Sequence, residues 1–207
     1  MYGTNHHRTG FVAVAVMLLG LLAWPATAQS PTASTVTGQG VAVQATVFGI
    51  LGTATTTALA DTGVIGATNL EQDVGQDTGS VASLLTADVL SSSTYSYADE
   101  VDSVSSLGDL NLNVGSVSIT ADSVMAEASQ VLGAPGSGSS FVDNLAINGV
   151  PIAVTGDPNQ TVAIPGGQIV INEQTISSTG QAVVNAVHVT VTGIADVVLA
   201  SASAGIS

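Results

Sequence analysis

Val41, Val43, Ala45 and Val47 alternate with Ala42, Gln44, Thr46 and Phe48. A period of two predicts a strand with at least one buried face, continuing to Leu51 with Gly49 and Gly52 as bulge or turn positions. Ala60-Asp61-Thr62-Gly63 ends the next segment with turn chemistry. Residues 66–79 (GATNLEQDVGQDTG) are acidic, glycine-punctuated and without period, and read as a loop; Gly133 to Ser140 (GAPGSGSS) reads the same way. Leu110, Leu112 and Val114 alternate with Asn111 and Asn113. Leu145-Ala146-Ile147, Asn148-Gly149, then Val150 to Val154 is a hairpin signal, because Asn-Gly accepts the positive φ angles of a type I′ turn. Gly156-Asp157-Pro158-Asn159 turns again, Thr161 to Ile164 is short and extended, and Pro165-Gly166-Gly167 turns once more. Gln168 to Ile176 sets Ile169, Ile171 and Glu173 against Val170 and Asn172, and Val187, Val189 and Val191 alternate within Val184 to Thr192.

Two segments also fit a helical template: Val81 to Leu90, and residues 120–133 with Ala121, Val124, Met125, Ala128 and Leu132 on one face. Internal similarity decides between the alternatives. The phrases beginning Thr86-Ala87-Asp88-Val89, Thr120-Ala121-Asp122-Ser123 and Ile194-Ala195-Asp196-Val197 resemble one another, and the third follows a valine strand across a turn at Gly193. All three are therefore read as strands. Their irregular spacing does not make a solenoid repeat. The expected fold is all-β: an antiparallel β-sandwich or β-roll of roughly nine to twelve strands. Few aromatic and many small side chains require sheets that pack closely.

The N-terminus has a different pattern. Met1 to Gly10 is polar, with Arg8 its fixed side-chain cation, and Phe11 to Leu22 is apolar. Trp24-Pro25 breaks that run, and Ala26-Thr27-Ala28 is a small-x-small cleavage site, the anatomy of a secretory signal. A segment this short does not span a hydrocarbon core of about 30 Å. The expected organisation is a signal peptide over 1–28, a flexible lead-in over 29–37 and a single all-β domain over 38–207.

Charge narrows the function classes. The chain has 15 acidic residues against one basic residue, Arg8, for a formal charge of −14. With no cation beyond the leader, the chain cannot neutralise phosphates, so nucleic acid and anionic lipid are excluded as partners. Absence of cysteine excludes disulfides, thiolate metal sites and cysteine nucleophiles, and absence of lysine excludes Schiff bases, Walker-type loops and Lys–Asn isopeptide bonds.

Asn148-Gly149-Val150-Pro151, Gly156-Asp157-Pro158-Asn159-Gln160-Thr161-Val162, Pro165-Gly166-Gly167 and Ile171-Asn172-Glu173-Gln174 resemble the bacterial choice-of-anchor P family. Val184-Asn185-Ala186-Val187-His188-Val189, Ala195 to Ala202, and the stretch from Gly40-Val41-Ala42 through Leu59-Ala60-Asp61-Thr62-Gly63 extend that resemblance over roughly 38–206. It implies a secreted or surface protein whose C-terminal sorting signal varies between members, and it implies no enzymatic activity. The chain stops directly after the last strand, so release is expected over attachment.

The candidate chemistry is sparse. His188 is the one histidine after the leader, on the strand face opposite Val187, Val189 and Val191, and no Gly-x-Ser-x-Gly elbow accompanies it. A structural or solvent-facing role is expected, and no catalytic residue, cofactor-binding residue or protein-ligated metal is assigned. Calcium is the one cation the oxygen-rich composition suits. Its candidate groups are Glu71, Asp73 and Asp77, and Asp99, Glu100 and Asp102, for which solvated loops are the simpler reading. Asp109, Asn111 and Asn113 match D-x-N-x-N, but Val114 stands where an EF-hand needs glycine. Asn159-Gln160-Thr161 is a formal sequon that a turn followed by a strand explains. Ice binding needs threonines at alternate positions on parallel strands, which the run Thr53 to Thr57 alone does not supply. The expectation is a secreted, non-enzymatic structural or adhesive protein of the bacterial matrix or cell surface, partnered by itself or by matrix components. The alternative is a calcium- or glycan-binding β-module.

Overall fold

Alternation of Val, Ile and Leu with Ser, Thr and Asn gives strands with one apolar and one polar face, and two such sheets bury their apolar faces against each other. The computed structural model describes residues 35–49 and 52–207. The expected leader, most of the lead-in, and Ile50 and Leu51 lie outside these. The described residues form thirteen strands: β1 (Val36–Phe48), β2 (Ala54–Asp61), β3 (Leu70–Val81), β4 (Leu85–Ser96), β5 (Glu100–Val114), β6 (Val117–Val131), β7 (Ser137–Asp143), β8 (Ala146–Ile147), β9 (Val150–Pro151), β10 (Gln160–Ile164), β11 (Gly167–Ile176), β12 (Ala182–Val191) and β13 (Ala195–Ile206). The first sheet runs β10-β11-β12-β13-β1-β2. The second runs β3-β4-β5-β6-β8-β9, with β7 also on β6. Every pairing between strands is antiparallel. The central strands face one another, β13 over β5 and β6 and β1 over β4 and β5, which makes the fold a β-sandwich.

The segments with two readings are strands, β4, β6 and β13. Asn148 and Gly149 take φ of 50° and 76° in the β8–β9 hairpin, as their chemistry requires. Three boundaries are corrected. Residues 70–79 belong to β3 rather than to a loop. As an edge strand β3 is solvated along most of its length, so no apolar face marks its period. Residues 137–140 begin β7, where Gly138 lets the chain pass a neighbouring side chain and backbone that a Cβ would strike. Val36 and Thr37 belong to β1 and pair Ile206 and Gly205.

The alternation does not keep one phase. In the first sheet it flips at a row of residues crossing five strands: Ala60, Ala42, Ala200, Ala186 and Asn172. Two adjacent residues are buried at this level in β11, β12 and β13 (Ile171-Asn172, Ala186-Val187 and Leu199-Ala200). Ala60, Ala200 and Asn172 have φ of 45°, 51° and 53°. A left-handed residue within a strand reverses which face the following side chains take. The second sheet flips likewise near Val89 and Asp109, with φ of 50° and 46°, but there two adjacent residues point outward. Asn172 is therefore buried and Glu173 turned out, which corrects the expectation that Glu173 shares the face of Ile169 and Ile171.

Part of the core is polar and very thin. Ser103 Oγ donates to the Ser203 carbonyl at 2.7 Å and Ser105 Oγ to the Ser201 carbonyl at 2.8 Å, both across the gap between sheets. Thr62 Oγ1 accepts from the Gly40 amide at 3.0 Å and lies 3.2 Å from Thr94 Oγ1. A serine side chain reaches a facing backbone only where the sheets stand closer than the usual spacing of about 10 Å. Glycine allows it: a Cβ on Gly40 would lie 2.8 Å from the Val104 carbonyl oxygen.

Candidate functional site

Because the phase flips between Ile171 and Asn172, Glu173 emerges on the outer face of the first sheet, beside His188 of β12. His188 pairs Val170 and Val198 in register, while Glu173 pairs Asn185. Glu173 Oε2 lies 2.9 Å from His188 Nδ1 and accepts from Asn185 Nδ2 at 2.6 Å. On the other side, Asp196 Oδ1 of β13 lies 3.1 Å from His188 Nε2. The result is a row carboxylate–imidazole–carboxylate tying three strands together on a part-buried surface.

This arrangement limits the chemistry. Both ring nitrogens face carboxylate oxygens, so neither is presented to a serine hydroxyl as a general base would be. The imidazole also separates the two carboxylates that would otherwise converge on a cation. Sequence reasoning singled out His188 but missed Glu173 and Asp196 as its partners; the i+8 hairpin spacing of Asp196 is the signal that could have found one of them.

On the outer face of the second sheet the register places Glu71, Tyr95 and Asp102 in one row and Asp73, Ser93 and Val104 in the next. Tyr95 Oη donates to Asp73 Oδ1 at 3.2 Å. Glu71 is held above the usual carboxylate range, chiefly by a hydrogen bond with Asp73, then by local burial and the charge of Asp73. Asp73 is held below it, first by a hydrogen bond from Ser93; partial burial opposes this, and bonds to Glu71 and Tyr95 reinforce it. For Tyr95 the hydrogen bond with Ser93 pulls the phenol down, but the bond to Asp73, burial and the two nearby carboxylates outweigh it and raise it.

The remaining candidates do not converge. Asp77 lies further along β3, Asp99 in the turn before β5, and Glu100 on β5. Among the described residues no group of three or more histidine, aspartate or glutamate side chains is placed to hold a metal ion. Asp109, Asn111 and Asn113 lie within strand β5, and Asn113 Nδ2 donates to Asn111 Oδ1 at 2.7 Å. Asn159 of the sequon adopts φ 62° and accepts from the Gln174 amide at 3.0 Å, the work of a turn residue. The threonine run lies in and before edge strand β2, whose neighbour β1 is antiparallel, and Thr56 Oγ1 is 2.9 Å from Thr46 Oγ1. A surface depression of about 490 Å³ lies at one end of the sandwich between Leu132 to Pro135, Ile176 to Gly180 and Ile206, and no titratable side chain lines it. Among the described residues no helix is long and apolar enough to cross a membrane.

Fold and surface together define an acidic, all-antiparallel β-sandwich with polar outer faces. Compared with known proteins, the chain matches no protein-family model, no curated protein and no solved structure.

Proposed function

We propose that this chain is a secreted, non-enzymatic bacterial protein with a structural or adhesive role in the extracellular matrix or at the cell surface, of the kind the choice-of-anchor P resemblance implies. The observation that carries the reading is the secretory anatomy of residues 1–28 ahead of a cysteine-free sandwich. The engagement of His188 on both ring nitrogens supports a structural role for the one histidine of the domain. Extended sheets with Ser- and Thr-rich outer faces suit broad contact with other macromolecules.

The test is fractionation of the producing bacterium, followed by sequencing of the protein's N-terminus. The expected result is protein in the medium or surface fraction beginning at Gln29. Protein confined to the cytosol with residues 1–28 retained would overturn the reading.

A further inference from the structure

Strand β3 closes one edge of the second sheet. Among the described residues it pairs only β4, so alternate N–H and C=O groups of its twelve residues point away from the sheet. Such a row is a template for another strand. The other edges are shorter or interrupted: β2 has 8 residues, β10 has 5 before Pro165, β7 has 7, and β9 is two residues ending in Pro151. β3 has no proline. From Leu70 to Gln76 its register with β4 is unbroken, giving a continuous seven-residue edge before the irregularity opposite Val89.

The side chains along this edge are selective. Glu71 and Asp73 lie on its outer face, with Asp102 in the row of Glu71 two strands in, Asp77 follows, and residues 35–207 contain no lysine or arginine to neutralise them. Charged edges block pairing with an identical copy, because like charges then stand opposite one another. They do not block a strand of opposite charge.

We propose that the Leu70–Gln76 edge is a strand-addition site for an extended segment of another protein carrying lysine or arginine at alternate positions. Main-chain hydrogen bonds would continue the ladder, and alternate cations would lie opposite Glu71 and Asp73. The inference extends the adhesive reading and rests on it only for the biological setting. Binding is measured on the isolated chain, so failure here and failure of the localisation test are separate results.

The experiment titrates the full chain, in low salt, with a nine-residue peptide alternating lysine and threonine. The same peptide N-methylated on alternate backbone nitrogens is the control. Amide resonances locate the contact. The expected result is binding with perturbation centred on 70–76 and at least a tenfold loss on N-methylation. E71Q with D73N should weaken binding about fivefold, from two lost cross-strand charge pairs. Both positions are exposed, and unchanged amide spectra elsewhere verify the variant's fold. Three results overturn the proposal: no binding, equal binding of the N-methylated peptide (a charge effect alone), or perturbation away from β3. Concentration-dependent self-association that protects the β3 amides would overturn it as well, by making the occupant a second copy.

Discussion

Single carboxylates behave differently here because nothing in the domain except His188 can become cationic. Glu71 and Asp73 stand two residues apart on one face of β3, and their proton affinities are driven in opposite directions by a shared hydrogen bond and by Ser93. For Glu71 the folded chain binds its proton more readily than the unfolded chain. Its contribution to stability is therefore greatest in acid and declines as pH rises from the unfolded value through the folded one. Asp73 has the opposite sign: its contribution is present above the unfolded value and is lost as pH falls through the folded one. Both groups are exposed, so solvent keeps both effects small. Asp73→Asn should move the Glu71 titration down toward its ordinary range and lower the Tyr95 ionisation, since the Asp73 carboxylate that helps to raise both is then gone. Side-chain NMR titration of Glu71 and the absorbance of the tyrosinate check this; an unchanged Glu71 would mean that burial rather than Asp73 holds it. Of this cluster, the acidic pair was visible in the sequence, but Tyr95 and Asp102 join it only through register.

At the scale of elements, the phase flips matter most. A strand read by its period assigns each side chain a face, and one left-handed residue inverts every assignment after it. Val89 is the most costly of these positions, because a β-branched residue at φ 50° crowds its own backbone, and the residue, 70% exposed, has little packing to offset this. Val89→Gly should therefore stabilise the protein by about 1 kcal/mol, the reverse of what glycine does in an ordinary strand. A lower midpoint on thermal melting would show that the valine side chain makes a contact worth more than the strain. Strand identity was legible from alternation in β1, β11 and β12, and in β4, β6 and β13 from the phrase they share. It was not legible in β3, which is solvated on both faces, nor at the start of β7, where Gly-Ser composition resembles a linker.

At the largest scale, the described residues are held by two sheets that approach closely over the hydroxyl-lined part of the core. Gly38 and Gly40 leave the gap into which Thr94, Val101 and Ser92 fit. Adding one carbon at Gly40 should thus cost stability: Gly40→Ala is expected to destabilise by about 1–3 kcal/mol, as overpacking does. The same change in an unconstrained strand would help. Chemical denaturation measures it, and a neutral or positive result would mean that the sheets separate at little cost. The sequence by itself determined the all-β class, the turns at Asn148-Gly149 and Gly193, and the absence of lysine and thiol chemistry, because these depend on composition and on neighbours along the chain. Tertiary structure alone decided the strand order, the inter-sheet hydrogen bonds of Ser103 and Ser105, and the meeting of His188 with Glu173 and Asp196. Those outcomes turn on register between strands and on the sign of φ at single residues such as Ala60, Ala200 and Asn172. Both are set by the packing of two faces against each other, a quantity that no local pattern along one strand contains.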